Sequence, residues 1–376
     1  MSWSFPIGTV RGTVIRIHLT FLLLLLWIAG TGFAAGGTQA AIASTVFVCL
    51  LFLCVLLHEF GHVFAARRYG VRTPDITLLP IGGVARLERI PEKPQEELVV
   101  ALAGPAVNVV IAALLFLLLG GIPPMQAAAE LHSPGQGILE RLAWVNVTLV
   151  IFNLIPAFPM DGGRVLRAFL AWRMGYVRAT QRAAAVGQGV AFLLGLLGLF
   201  GGNPLLVFIA LFVYLGASSE AHAVQMREVG RGIPAADAMI TRFEALSPAA
   251  RIEDAVALLI ATTQREFPVV DGGGALRGVL TREAMIQALK EQGPDAPVLE
   301  AMTREIPLVR ARQCLADAME ALQQTQAPAV GVTDAAGRLV GLVTPETVGE
   351  LMMVHAARPP GGGAPRNPWA RAAEGG

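Results

Sequence analysis

Three stretches in the first third of the chain carry almost no charge: residues 17–32 (IHLTFLLLLLWIAGTG), 41–57 (AIASTVFVCLLFLCVLL) and 98–119 (LVVALAGPAVNVVIAALLFLLL). Each approaches the ~20 residues that an α-helix needs to cross ~30 Å of hydrocarbon, so they read as transmembrane helices. Further apolar runs at about 143–158, 184–200 and 204–216 bring the expected number of spans to six. Across the 376 residues 54% are hydrophobic and 15% charged, against roughly a quarter charged in soluble domains. Lys and Arg number 29 and Asp and Glu 28, a net charge of +1 that leaves no global basic field to hold a nucleic acid. Cys49, Cys54 and Cys314 supply no disulfide framework.

Basic residues set the expected orientation. Arg11 and Arg16 precede the first run, Arg67, Arg68 and Arg72 follow the second, and Lys93 precedes the third. Arg164, Arg167, Arg173, Arg178 and Arg182 lie between the fourth and fifth, whereas loops 32–39 and 201–203 carry neither Lys nor Arg. The positive-inside rule then puts the N-terminus and everything after the sixth span in the cytoplasm. A signal peptide is the other reading of the first run, but no small-residue cleavage site leads there into an exported polar domain.

After about Arg227 the patterning becomes that of a soluble domain, and it is duplicated. Asp237-Ala238-Met239 recurs as Glu300-Ala301-Met302, Asp271 as Asp334, and Gly278-Val279-Leu280-Thr281 as Gly341-Leu342-Val343-Thr344, all at one offset. Each copy carries strand and Gly-turn signals between helices, so the copies are expected to pair as two α/β halves. The expected division is a membrane domain at 1–223, a linker at 224–235, the duplicated domain at 236–355, and an unstructured Pro/Gly/Ala-rich tail at 356–376.

The second run continues straight into His58-Glu59-Phe60-Gly61-His62. His58 and His62 fall one helical turn apart on one face, the spacing at which two imidazoles bind one Zn²⁺, and Glu59 beside them is free to move a proton. Three ionisable groups at membrane depth are expensive unless ligated, paired or wet. A catalytic zinc needs a third protein ligand. His18, His132, Glu220 and His222 are available, but Asp161 is the best placed, because Pro156 and Pro159 break the apolar run before it and Gly162 and Gly163 follow. Asp161 also suits a plain helix N-cap. Asn108 and Asn153 are candidates for hydrogen-bonding a substrate or a developing oxyanion, with an interhelical structural bond as the other reading.

His58-Glu59-Phe60-Gly61-His62, followed by Asn153-x-x-Pro156-x-x-Pro159-x-Asp161-Gly162, resembles the site-2 protease family of intramembrane zinc metalloproteases. Gly104-Pro105-x-x-Asn108 and the Gly8-x-x-x-Gly12 stretch extend the likeness, and the duplicated region resembles a pair of cystathionine-beta-synthase-type (CBS) domains. The resemblance implies a polytopic α-helical membrane protein, six transmembrane helices in a site-2 protease core, with a C-terminal α/β CBS-pair domain. It implies a single Zn²⁺ per chain held by His58, His62 and Asp161, with Glu59 as catalytic base. The implied activity is cleavage of transmembrane protein substrates in or beside the lipid bilayer of a bacterial or archaeal cell, that is, regulated intramembrane proteolysis. Residues 75–89 are expected to form strands beside the site. CBS pairs commonly bind adenine nucleotides, through an Asp three residues after the Thr of each Gly-x-x-Thr motif, but Ala284 and Thr347 stand at those positions. Thr281 and Thr344 remain as nucleotide contacts, weak binding is expected, and a homodimer through the CBS domains stays open. A CBS-regulated transporter or channel is the alternative, though runs five and six offer almost no polar residues for an ion path.

Overall fold

The computed structural model describes residues 3–86, 92–124 and 137–357. His132 and the tail from position 358 onward lie outside the described residues. The chain divides into two compact units, Met1–His222 and Ala223–Gly376.

In the first unit, β1 (Ser4–Val10) and β2 (Thr13–His18) make an antiparallel hairpin. Its Arg11-Gly12 turn has φ of 47° and 85°, the primed geometry whose twist matches paired strands. β2 runs into α1 (Leu19–Arg68), where His18 Nδ1 accepts from Thr20 N and caps the first turn. β3 (Asp75–Leu79) then returns parallel to β2, and β4 (Gly82–Arg86) pairs antiparallel with β3, giving a sheet of order β1-β2-β3-β4. The expected strands are therefore present up to Arg86; residues 87–89 lie outside the described residues. The sheet packs on both halves of α1, with Ile15 and Ile76 against Phe60 and Val63, and Leu78 against Phe21 and Phe52.

The remaining helices of this unit are α2 (Pro94–Leu118), α3 (Ile138–Asn153), α4 (Asp161–Met174), α5 (Tyr176–Phe200) and α6 (Pro204–Arg231). Four elements among the described residues, α1, α2, α5 and α6, are long and apolar enough to cross a membrane. α1 accounts for two of the expected runs: its 50 residues are broken where Gly36 and Gly37 leave helical geometry, Gly37 at φ 69°. The fourth run is the real departure. It stays helical for 16 residues to Asn153 and then turns, with Pro156 and Pro159 in the turn before α4. The sixth run does not stop at Gly216, and the expected linker is helical to Arg231; its Met226 and Val229, past the end of the first unit at His222, belong to the apolar core of the C-terminal unit.

Arg167 on α4, counted from sequence among the loop cations, is fully buried. Its Nε donates to Glu97 Oε1 of α2 at 2.7 Å and its Nη1 to Glu220 Oε1 of α6 at 2.5 Å. The guanidinium lies 5.0 Å from the Phe158 ring and 4.8 Å from the Tyr176 ring. This one side chain ties three helices together, and it was not legible as such because each partner comes from a distant stretch of chain.

In the second unit, α7 (Ala235–Ala238), α8 (Ile252–Ala261), β5 (Glu266–Val270), β6 (Leu276–Thr281) and α9 (Arg282–Glu291) form the first repeat. The second is α10 (Val298–Ala301), β7 (Leu308–Arg310), α11 (Leu315–Thr325), β8 (Val330–Thr333), β9 (Leu339–Val343) and α12 (Pro345–Ala356). The repeats exchange contacts reciprocally. Ile240 bridges to Leu342 and Thr303 to Val279, and a Cβ on Gly341 or Gly278 would meet the sulfur of Met239 or Met302 at 2.5 or 2.6 Å. The repeated glycines are thus seats for the repeated methionines of the opposite copy. Asp271 and Asp334 close equivalent turns by accepting backbone N–H groups, which holds their carboxyls below the usual range.

Arg167→Leu strands the buried Glu97 carboxylate without its cation and is expected to lower stability by about 3–5 kcal/mol. Glu220→Gln, at the more open end of the cluster, is expected to lower it less. Tm of the purified protein in detergent reads both.

Candidate metal centre

α1 carries His58 and His62 at the level where the sheet packs against it, both buried at 6% and 5% exposure. Asp161, 7% exposed, is the first residue of α4. Met160, not Asp161, occupies the N-cap position, so the capping reading of this carboxylate is set aside. The turn before α4 needs both glycines: a Cβ on Gly162 would stand 2.2 Å from Ile155 O, and one on Gly163 2.6 Å from Phe158 N. These close approaches fold the chain back and deliver Asp161 to the histidine pair.

His58 Nε2 lies 3.1 Å from His62 Nε2, and each is 3.2 Å from Asp161 Oδ2. On the far side of each ring, His62 Nδ1 donates to Val100 O at 2.7 Å and His58 Nδ1 contacts Asn108 Oδ1 at 2.5 Å. A backbone carbonyl only accepts, so the His62 proton sits on Nδ1 and Nε2 presents a lone pair. With both rings neutral and His58 held the same way, three acceptors converge, an arrangement that a cation between them relieves. Two imidazole nitrogens and a carboxylate oxygen are a donor set that suits Zn²⁺.

α2 leaves the room for this. A Cβ on Gly104 would stand 2.2 Å from His62 Nε2 and 2.7 Å from His58 Nε2, while Gly61 of α1 faces Ala103 O of α2 at 2.6 Å from a built Cβ. The small residues bring the two helices into close contact and leave the histidine nitrogens uncovered. Glu59 points to the sheet instead: a Cβ on Gly83 of β4 would be 2.6 Å from Glu59 Cγ. Among the described residues its carboxylate has no hydrogen-bond or ion-pair partner.

Asn108 makes internal contacts, as in the second of its two readings, an interhelical bond. It is fully buried, and its Nδ2 donates to Asn146 Oδ1 at 2.7 Å while Oδ1 faces His58. Asn153 is half-buried and donates to Leu149 O of its own helix at 3.0 Å. His18 is spent on the α1 cap and Glu220 on Arg167, which removes both as ligands; His222 is not in the three-residue cluster. Sequence reasoning missed Asn146 and Val100 O, neither of which belongs to a motif.

In the C-terminal unit a cavity of about 650 Å³ is lined by Arg242, Glu244, Arg265, Glu266, Thr344 and Glu346, among others; Thr281 does not line it. Both threonine hydroxyls are helix caps: Thr281 Oγ1 accepts from Ala284 N and Thr344 Oγ1 from Thr347 N. Burial, reinforced by Glu346, pushes the Glu266 carboxyl above its usual range.

Residues 46–135 and 120–196 match peptidase family M50, and residues 235–291 match the CBS domain. A zinc metalloprotease of Methanocaldococcus jannaschii is 36% identical over 273 residues, 73% of this chain and 77% of that protein. Stage IV sporulation protein FB of Bacillus subtilis is 28% identical over 206 residues, 54% of this chain and 65% of that one. The solved structure of a site-2 protease from Methanocaldococcus jannaschii shares 37% identity, covering 58% of this chain and 95% of that chain with a TM-score of 0.43. The extent of the match to the archaeal enzyme, added to the family match over the membrane unit, means that this chain belongs to peptidase family M50 as a multi-pass membrane zinc metalloprotease of the site-2 protease type with a C-terminal CBS region.

Proposed function

We propose that the chain is an intramembrane endopeptidase that cleaves transmembrane protein substrates in regulated proteolysis, with His58, His62 and Asp161 holding Zn²⁺ and Glu59 as the catalytic base. The observation that carries this is the convergence of two imidazole nitrogens and one carboxylate oxygen in a buried position, beside Glu59, whose carboxylate has no partner among the described residues. Bound there, Zn²⁺ supplies Lewis acidity that polarises a scissile carbonyl and acidifies water. Glu59 takes up the proton that the attacking water sheds and returns it to the nitrogen of the departing amine. Among the described residues β4 pairs with β3 alone, and its other edge would align an unwound substrate as an added strand running past Glu59 at Gly83. Val100 O and Asn108 keep the histidine rings turned so that Nε2 faces the metal position.

The topology that accompanies this reading is six spans, with the N-terminus and the CBS pair in the cytoplasm and α3 completing the count despite its 16 residues. The CBS pair regulates the protease or dimerises it. Glu244, Glu266 and Glu346 in the cavity oppose phosphate groups, which supports weak ATP binding.

Glu59→Gln is expected to keep zinc and abolish cleavage, because an amide takes no proton while the ligands survive. His58→Ala, His62→Ala and Asp161→Ala are expected to lose both, as read by metal content of the purified protein beside a cleavage assay. Substantial turnover by zinc-loaded Glu59→Gln overturns the assignment of the base.

A cysteine introduced at exposed Arg173 is expected to react with a membrane-impermeant thiol reagent only once the cytoplasmic face is opened. Equal labelling from outside intact cells reverses the orientation.

Calorimetry of the full chain with ATP, ADP and AMP is expected to show weak or no binding of ATP. Low-micromolar ATP affinity makes energy sensing the better account of the C-terminal unit.

A further inference from the structure

Asn146 lies in the middle of α3, fully buried, and is part of no recognised motif. Its Nδ2 donates to Leu142 O at 2.8 Å and lies 3.4 Å from Cys54 Sγ; its Oδ1 accepts from Asn108 Nδ2 at 2.7 Å. We propose that Asn146 is a positioning residue of the metal centre, which orients the Asn108 amide and thereby fixes the tautomer in which His58 presents Nε2. The proposal rests on the ligand role assigned above to His58.

The inference follows from donor and acceptor counting along one chain of contacts. Leu142 O is a pure acceptor, so the Asn146 edge that meets it is the NH₂ group and the opposite edge is the carbonyl. That carbonyl accepts only from a donor, so Asn108 turns its own NH₂ toward Asn146 and its Oδ1 toward His58. His58 Nδ1, now facing an acceptor, carries the ring proton, and Nε2 is left as a lone pair beside His62 Nε2 and Asp161 Oδ2. His62 needs no such relay, because Val100 O faces it directly. An asparagine amide alone is ambivalent: turned over, Asn108 offers His58 a donor and favours the wrong tautomer. Asn146 removes that ambiguity by referring the His58 ring to a backbone carbonyl two helices away.

An interhelical hydrogen bond that merely holds α2 to α3 is the competing account. Zinc release from the full-length protein in detergent to an excess of chelator separates the two. Asn146→Ala frees Asn108 to turn over and is expected to release zinc about tenfold faster or more, the scale seen when a partner behind a metal-bound histidine is lost. Adding Asn108→Asp to Asn146→Ala is expected to restore release to within about threefold of wild type, since a carboxylate accepts from His58 Nδ1 whichever way it turns. That second change restores no contact between α2 and α3, so a structural role predicts no rescue.

Wild-type release by Asn146→Ala, or a double variant as leaky as the single one, overturns the proposal. If Asn146→Ala does not fold, Asn146→Leu, which fills the space without a donor or acceptor, takes its place alone and with Asn108→Asp: faster release restored by the second change supports the relay, and wild-type release or no rescue overturns it. His58→Ala in the same assay keeps the two readings apart. If it retains zinc, the ligand assignment falls and this proposal with it. If it loses zinc while both asparagine variants release at the rates a structural role predicts, only the relay falls.

Discussion

Two imidazole nitrogens and a carboxylate oxygen are crowded to within 3.1–3.2 Å of one another in a buried position. Uncompensated, that arrangement is costly for a protein interior, since each group loses water and two neutral imidazoles and a carboxylate offer one another only lone pairs. It is tolerable as a cation site, and much of the membrane unit serves to keep it one. Gly104 clears the space, Gly61 lets α2 come close enough for Val100 O to reach His62, and Gly162 and Gly163 fold the proline-broken chain back so that Asp161 arrives on the third side. None of these glycines has a positive φ; what they contribute is the absence of a Cβ at a contact.

The parts of the centre that were legible in the sequence are those whose geometry is carried by local chain. His58 and His62 share one helix, so their spacing alone predicts a common face, and the prolines and glycines around Asp161 announce a break at membrane depth. The asparagines were left with two readings for the opposite reason. A buried amide is defined by what stands at each of its two edges, and for Asn108 those partners lie on α1 and α3, far apart in sequence. Arg167 was misjudged in the same way. Read from sequence it is a loop cation that argues for orientation; folded, it is a buried crosslink between Glu97 and Glu220, so the neighbouring Arg173, Arg178 and Arg182 are the exposed charges left for that argument.

In the C-terminal unit the duplication was readable because both copies keep one offset, and the helices and the β5/β8 and β6/β9 strands recur at it. What the offset does not reveal is which repeated residues face a ligand. Thr281 and Thr344 occupy the position just before a helix, where a hydroxyl satisfies an otherwise unpaired backbone N–H, and that local demand claims both of them. The cavity is lined by residues outside the repeated motif as well, including Glu244 and Glu266, so its acidic character is a property of this chain that motif matching passes over.

The two polar networks of the membrane unit are not independent, because both are anchored on α2. Glu97, Val100, Gly104 and Asn108 follow one another at intervals of three or four residues and are all buried, so they form a single stripe along that helix. Read down the stripe, Glu97 binds Arg167 on α4, Val100 O orients His62, Gly104 accommodates the histidine nitrogens, and Asn108 meets His58 and Asn146. A helix in a fluid, apolar surround has no hydrophobic reason to prefer one rotation about its axis. This sequence of one carboxylate, one backbone carbonyl facing His62, one missing side chain and one amide gives α2 such a preference: a rotation that satisfies any one of them satisfies the others, and any other rotation leaves several polar groups unpaired at once. The same rotation sets α1 and α4 at the separation their three ligating atoms require, so the register of α2 and the geometry of the metal centre are one structural property.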